Sequence, residues 1–495
     1  MKKRIAVLLS AVLLLMALTA CGSTEAWADS QAGPPALPDS GAPAGEMPGE
    51  PPEGDPPGAP PDGNDEPGGT PPGDPPDGNG GGTPPGGFGG GMPGGPGRSS
   101  ADITYAGAVE ITSADTQNGQ TYVSSTADDV TVTDPTVTKS GDSDGGDSCN
   151  FYGLNAAVLV KDGAAVSITG GTVTSDADGA NGIFCYGGNG GQNGASGDGT
   201  TLTVRDTVIT TSGNGSGGIM TTGGGTTYAY DLTVETSGRS SAAIRTDRGG
   251  GTVVADGGTY TSNGLGSPAI YSTADITVSN AKLISNLSEG VCIEGLNSIT
   301  LNDCDLTASN TQRNGNATFL DSIMIYQSMS GDAASGTSHF TMTGGSLTSK
   351  SGHVFHVTNT NAVITLEGVE IVNEDADNIL LSVCADGWTG GSNTAVLKAA
   401  DQKLSGAVKV GSDSSLTLEL TDASAFEGSI DGSIINADGE MVSADTGTVS
   451  VTLDSSSTWT LTGDSYVTEF SGDAANVIAN GFTLYVSGTP LTGTK

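Results

Sequence analysis

The densest cationic chemistry in the chain is Arg245-Thr246-Asp247-Arg248, with Arg239 close by. It stands out because the 495-residue sequence has 17 Lys+Arg against 56 Asp+Glu, a net charge of −39. Guanidinium forks match carboxylates bidentately, so this cluster is a candidate site for a uronate or another carboxylate. If the protein catalyses a reaction, Arg245, Asp247 and Arg248 are the candidate groups. The alternative is a structural ion-pair cluster. His353 and His356 flank Phe355, and strict strand alternation would put His356 inside with Val354 and His353 outside, which disfavours a two-histidine metal site. The acidic turns Gly141–Asp147 and Asn373–Asp377 offer carboxylates and carbonyls to calcium, the one cofactor in view, or are ordinary solvated turns. No resident cofactor or metal site is otherwise expected. Cys149, Cys185, Cys292, Cys304 and Cys384 include no CxxC pair, so zinc ligation is not expected; buried free thiols are, with a disulfide between two of them the alternative.

A second set of candidates comes from a column of residues that each follow a recurring apolar position. Phe184, Met220, Arg245, Tyr271, Cys292, Met324, Phe355 and Leu380 would form an outward stripe. The longest loops follow the same segment, and one of them carries Trp388. Aromatic rings stack on the apolar faces of sugars while loops supply hydrogen bonds. Phe184, Arg245, Tyr271, Phe355 and Trp388 are therefore the expected ligand contacts of a polysaccharide groove. A one-residue register slip, or cover by the loops, would instead bury the stripe.

The elements that must carry these residues repeat. The pattern apolar-x-apolar, four residues, apolar reads Val166-Ser-Ile168…Val173, Leu202-Thr-Val204…Ile209, Val253-Val-Ala255…Tyr260 and Ile276-Thr-Val278…Leu283. It continues as Ile299-Thr-Leu301…Leu306, Phe340-Thr-Met342…Leu347 and Ile364-Thr-Leu366…Ile371, and Tyr228-Ala-Tyr230…Val234 reads as a copy one residue short. Each leads to a third apolar segment opened by Ile183, Ile219, Ile244, Ile270, Val291, Ile323, Val354 or Ile379. Ser216, Ser241, Ser267, Ser288 and Ser351 stand three residues before five of these. Three short β-branched strands per repeat, with Gly, Asn and Asp at the corners, predict a parallel β-helix. Between the paired apolar positions Ser167, Thr203, Ala229, Val254, Thr277, Thr300, Thr341 and Thr365 would face solvent, an interrupted threonine column explained by β-propensity.

These repeats resemble the right-handed parallel β-helix superfamily that contains pectate lyases and many bacterial surface adhesins, over about residues 101–495. The resemblance implies an all-β solenoid with either of two roles. One is adhesin-like binding of glycans or other surface polymers without catalysis. The other is polysaccharide lyase or glycoside hydrolase action on acidic glycans. The superfamily's hydrolase motifs, such as Asn-Thr-Asp and Gly-His-Asp, are not found.

The remaining organisation concerns location. Lys2-Lys3-Arg4, the apolar run Ile5–Ala17 and Leu18-Thr19-Ala20-Cys21 resemble a lipoprotein signal, with residues 1–20 removed and Cys21 lipidated; an ordinary secretory signal cut nearby is the alternative. Residues 21–100 are Pro, Gly and acidic residues with too little apolar surface to fold, a linker. Residues 101–394 form the main array and 395–495 shorter terminal coils or a cap. The expected partners are a membrane, through the lipid on the extracellular face of a bacterial cell, and a surface polymer. The acidic balance argues against nucleic acid, which needs a basic face.

Overall fold

The structure is a computed structural model that describes residues 114–115, 122–124, 130–142, 147–190 and 196–495. The signal segment, Cys21 and the Pro/Gly-rich linker lie outside the described residues, as does the centre of the 141–147 turn. What is described is a parallel β-helix. Each coil adds one strand to each of three parallel sheets, as Thr201–Arg205, Val208–Thr211 and Ile219–Thr222 illustrate. Among the described residues the sheets contain 13, 10 and 12 strands respectively.

Alternation of side chains across a strand turns the sequence repeat into stacked columns. In the twelve-stranded sheet Ile183, Ile219, Ile244, Ile270, Val291 and Ile323 pair in register and point inward. The ten-stranded sheet contributes Val173, Ile209, Val234, Tyr260, Leu283, Leu306 and Leu347. All belong to one continuous apolar core. Each fully buried aliphatic side chain contributes about 1.5–3 kcal/mol, which is how a chain poor in aromatics can support a long solenoid.

Two corners show why particular polar residues recur. Between the thirteen- and ten-stranded sheets the backbone turns through a left-handed residue: Asp206 (φ 51), Asp231 (φ 52), Asn280 (φ 54) and Asp303 (φ 49). Asn and Asp tolerate this region better than other residues with a Cβ, and glycine fills the equivalent place at Gly257 and Gly344. Each donates its N–H to the next coil, as Asp206 does to Tyr230 O at 3.0 Å. At the opposite corner the serines form a ladder. Ser216 N donates to Ser241 Oγ at 2.9 Å and Ser241 N to Ser267 Oγ at 2.8 Å, while each hydroxyl donates to a carbonyl of the preceding coil. Buried backbone groups left over by the bend are thereby satisfied.

Two register expectations need correction. Tyr228 pairs with Thr203 and Val254 and faces solvent, whereas Ala229 pairs with Val204 and Ala255 and is fully buried. The copy is not short. Its missing hydrophobe is Thr227, which occupies the core position and satisfies its hydroxyl against Thr221 Oγ1 at 2.7 Å. Further on, Ile323 pairs with Phe355 and Phe355 with Leu381. Phe355 and Leu380 are therefore core residues, both 0 % exposed, and the outward column runs instead through Met324, His356 and Ser382. Val354 is in the core as well, so two adjacent apolar residues hid the frame.

Past Glu370–Asn373 a separate four-stranded sheet begins with Lys403–Ser405, and Trp459 stacks on Phe426 at 5.5 Å within the core. The chain closes with an antiparallel pair, Leu484–Val486 and Thr489–Pro490.

Candidate functional site

The outward column of the twelve-stranded sheet is Phe184, Met220, Arg245, Tyr271, Cys292, Met324, His356 and Ser382. Most of it is covered. Phe184 and Met220 are fully buried, and the helix Asp147–Tyr152 lies close by, its Phe151 carbonyl accepting a hydrogen bond from Thr222 Oγ1 at 2.7 Å. At the far end Phe319, from the insertion around residues 309–320, packs on His356 with ring centroids 4.7 Å apart. The middle of the column, Arg245 to Met324, lines two pockets that share Tyr271 and Tyr326.

The first pocket, about 230 Å³, is lined by Arg245, Tyr271, Tyr326 and Asn314. Arg245 is not a free cation. Its guanidinium donates to Asp247 Oδ2 at 2.8 Å, to Asn150 Oδ1 at 3.3 Å and to Ser240 O at 3.1 Å. Burial raises the Asp247 carboxyl to about 6, against the opposing pull of Arg245. Arg248 is held by Asp332 Oδ1 at 2.7 Å and lies over the Phe151 ring at 4.3 Å; Arg239 donates to Asn314. The arginine cluster thus pins loops to one another, with Arg245 and Arg248 ion-paired within the protein.

The second pocket, about 270 Å³, is lined by Tyr271, Glu289, Cys292, Met324, Tyr326 and Trp388, with Asn314–Ala317 opposite. Tyr326 and Trp388 sit 4.9 Å apart at 56°, forming two inclined walls. Tyr271 and Tyr326 are fixed from beneath by Glu294, which accepts from Tyr271 Oη at 2.5 Å and Tyr326 Oη at 3.3 Å, and also from Ser328. Burial, together with the nearby carboxylates, raises both phenols well above their ordinary range, so they stay neutral donors. Glu289 is 7 % exposed and accepts from the Ser288 hydroxyl. One coil on, Asp321 is buried with one carboxylate oxygen lacking a hydrogen-bond partner, and burial followed by the Glu289 charge raises its pKa well above normal.

Trp388 is placed by an unexpected device. Asp386 accepts from Thr318 N at 2.8 Å, Thr318 Oγ1 at 2.6 Å and Gly387 N at 2.7 Å, so one carboxylate ties the Trp388 loop to the 310–320 insertion. Its other oxygen faces His356 Nε2 at 3.4 Å. Ser382 Oγ lies 2.8 Å from His356 Nδ1 and 2.7 Å from His353 Nδ1, so both histidines share a partner, contrary to strict alternation. One proton arrangement serves both serine contacts: His353 donates to Ser382 and Ser382 to His356, which leaves His356 Nε2–H facing Asp386 Oδ2 without a formed hydrogen bond. The order Ser382–His356–Asp386 is that of a nucleophile relay, but Ser382 is fully buried, so the chain acts as a strut. Burial would raise the Asp386 pKa, yet His356 and the Thr318 donors outweigh it and hold the carboxyl low. Gly387 is required here, because a Cβ would come within 1.8 Å of Asn316 O.

Of the residues expected to contact ligand, the structure brings Arg245, Tyr271 and Trp388 together and buries Phe184 and Phe355. Glu289, Glu294, Tyr326 and Asp386 were missed. Glu294 and Tyr326 follow Cys292 and Met324 by two residues, a signal available from alternation alone. Among the described residues no group of three or more His, Cys, Asp or Glu is placed to hold a metal ion. In the 373–377 turn, Asn373 and Asp375 side chains accept backbone N–H groups at 3.0 Å, the usual use of such turns. No protein-family model, curated protein or solved structure matches the chain.

Proposed function

We propose that the chain is a lipid-anchored, adhesin-like β-helix protein at the extracellular face of a bacterial membrane that binds a glycan or related surface polymer without catalysis. The observation that carries the reading is the pair of adjoining pockets walled by Tyr271, Tyr326 and Trp388 and edged by Asn314 and Arg245. Ring faces set beside amide groups suit a sugar, which has an apolar face and a rim of hydroxyls. Tyr271 and Tyr326 lie on a sheet and are braced by Glu294, and Trp388 lies on a loop tied down through Asp386, so little ordering entropy is lost when ligand binds. The signal-like start of the chain supports the anchor.

The test is a glycan array screened with the full chain and with Trp388→Ala. Binding that depends on Trp388 is the expected result; glycan binding indifferent to Trp388, or none at all, would overturn the reading. A second reading, a polysaccharide hydrolase or lyase, is favoured by Glu289 and Asp321 at equivalent places in adjacent coils. It loses Arg245 and Arg248 as free catalytic groups, since both are ion-paired. New reducing ends or unsaturated uronate products from acidic glycans would establish it.

A further inference from the structure

We propose that the Tyr271–Tyr326–Trp388 pocket takes a protonated amine carried on a sugar, so that the polymer it recognises is an amino-sugar glycan and not a polyuronate. The inference rests on the glycan-binding reading and names the class of glycan.

The pocket combines rings with negative charge. Three aromatic side chains share one cavity of about 270 Å³. An aromatic face attracts a cation through its quadrupole, most strongly when water is excluded. The carboxylate in the same wall is Glu289, more than nine-tenths buried, and among the described residues no Lys, Arg or His forms an ion pair with it. Glu294, just beneath the two phenols, likewise meets no cation in these ion pairs. Burial raises the Glu289 pKa, and Asp321 lies one coil on, so an ammonium entering beside the two carboxyls supplies the counter-charge that lets Glu289 ionise.

The surroundings reinforce the sign. Two of the neighbouring arginines, Arg245 and Arg248, are already matched by Asp247 and Asp332, and Arg239 donates to the Asn314 amide oxygen. The chain as a whole is at −39, a field that concentrates cations and repels polyanions. A uronate in this pocket would place its carboxylate against Glu289. A protonated amine at the same position would face Glu289 and the rings, leaving Asn314 and Asn316 across the pocket for sugar hydroxyls.

Calorimetric titration of the full chain with three oligosaccharides of equal length tests this: a β-1,4-glucosamine oligomer, its N-acetylated counterpart and an oligogalacturonate, at a pH where the amine is protonated. The glucosamine oligomer is expected to bind about ten-fold tighter than the N-acetylated one, with the oligogalacturonate weakest. Glu289→Gln should reduce the preference for the free amine over the N-acetylated oligomer to about two-fold. Tyr271→Phe, which keeps the ring and loses only the hydroxyl, should retain the preference, and circular dichroism checks that both variants are folded. If the N-acetylated or uronate oligomer binds as tightly as the amine in a Trp388-dependent way, the amine proposal fails and the glycan reading stands. If Glu289→Gln keeps the full preference, the proposal fails too. If none of the three binds, and no glycan on the array does, the glycan reading itself is lost.

Discussion

Replacing His353 by Gln should change how stability depends on pH, and the sign can be worked out. His353 is buried against Phe319 and Ser382, and burial, followed by the charge of His356, lowers its pKa from 6.5 to about 3. Between those values the unfolded chain binds a proton at this position and the folded chain does not, so stability rises with pH and is lost as pH falls. Each pH unit in that window is worth 1.36 kcal/mol, so acidification from pH 6.5 to 5 should remove about 2 kcal/mol through this residue. Asp247 works in the opposite direction. Its folded pKa of about 6 lies above the unfolded value, so the folded state holds a proton that the unfolded state releases, and this contribution falls as pH rises. Asp386 acts below the window, because its depressed pKa contributes stability that is lost only as pH falls below the ordinary carboxylate range. The wild-type slope is therefore a mixture, and the difference between wild type and His353→Gln isolates one group. Urea unfolding at pH 5, 5.5, 6 and 6.5 gives both slopes, and imidazole NMR follows His353 directly beside the exposed His339. Equal slopes in the two proteins, or a His353 resonance that titrates near 6.5, would refute the reasoning.

Phe355→Ala should cost about 3–5 kcal/mol in urea unfolding, as expected of a core aromatic, whereas Trp388→Ala should abolish ligand binding with little effect on the unfolding midpoint. Arg245→Ala leaves Asp247 buried without its partner, so a loss of about 3–5 kcal/mol is expected at pH 8, shrinking at pH 5 where Asp247 takes up a proton; a pH-independent loss would count against the pairing. Asp303→Val puts a β-branched residue at φ 49 and should lower stability by about 1–2 kcal/mol, while Asp303→Gly should not. Gly387→Ala should weaken ligand binding by displacing Trp388, without changing the circular dichroism of the solenoid.

The coil architecture was legible because it is a property of local spacing. Apolar residues at strand period, corner Asp, Asn and Gly, and serines three before five of the third strands state where coils bend and which atoms close the bend, and the ladders at Asp206, Asp231, Ser216 and Ser241 follow from them. The sequence also put Arg245 and Tyr271 on the outward face, without marking which part of the stripe stays open. Where Thr227 replaced a hydrophobe, and where Val354 and Phe355 stood side by side, the pattern admitted two frames, and only stacking on the neighbouring coils chose between them. The site was decided almost entirely by tertiary structure. Residues separated by more than sixty positions meet there: Asp386 holds Thr318 and Arg248 holds Asp332. Such contacts depend on how many coils lie between two loops and on which way each insertion folds back. A periodic sequence does not encode these in any local pattern, and they settle which rings remain open to a ligand and which carboxylates are left without a counter-charge.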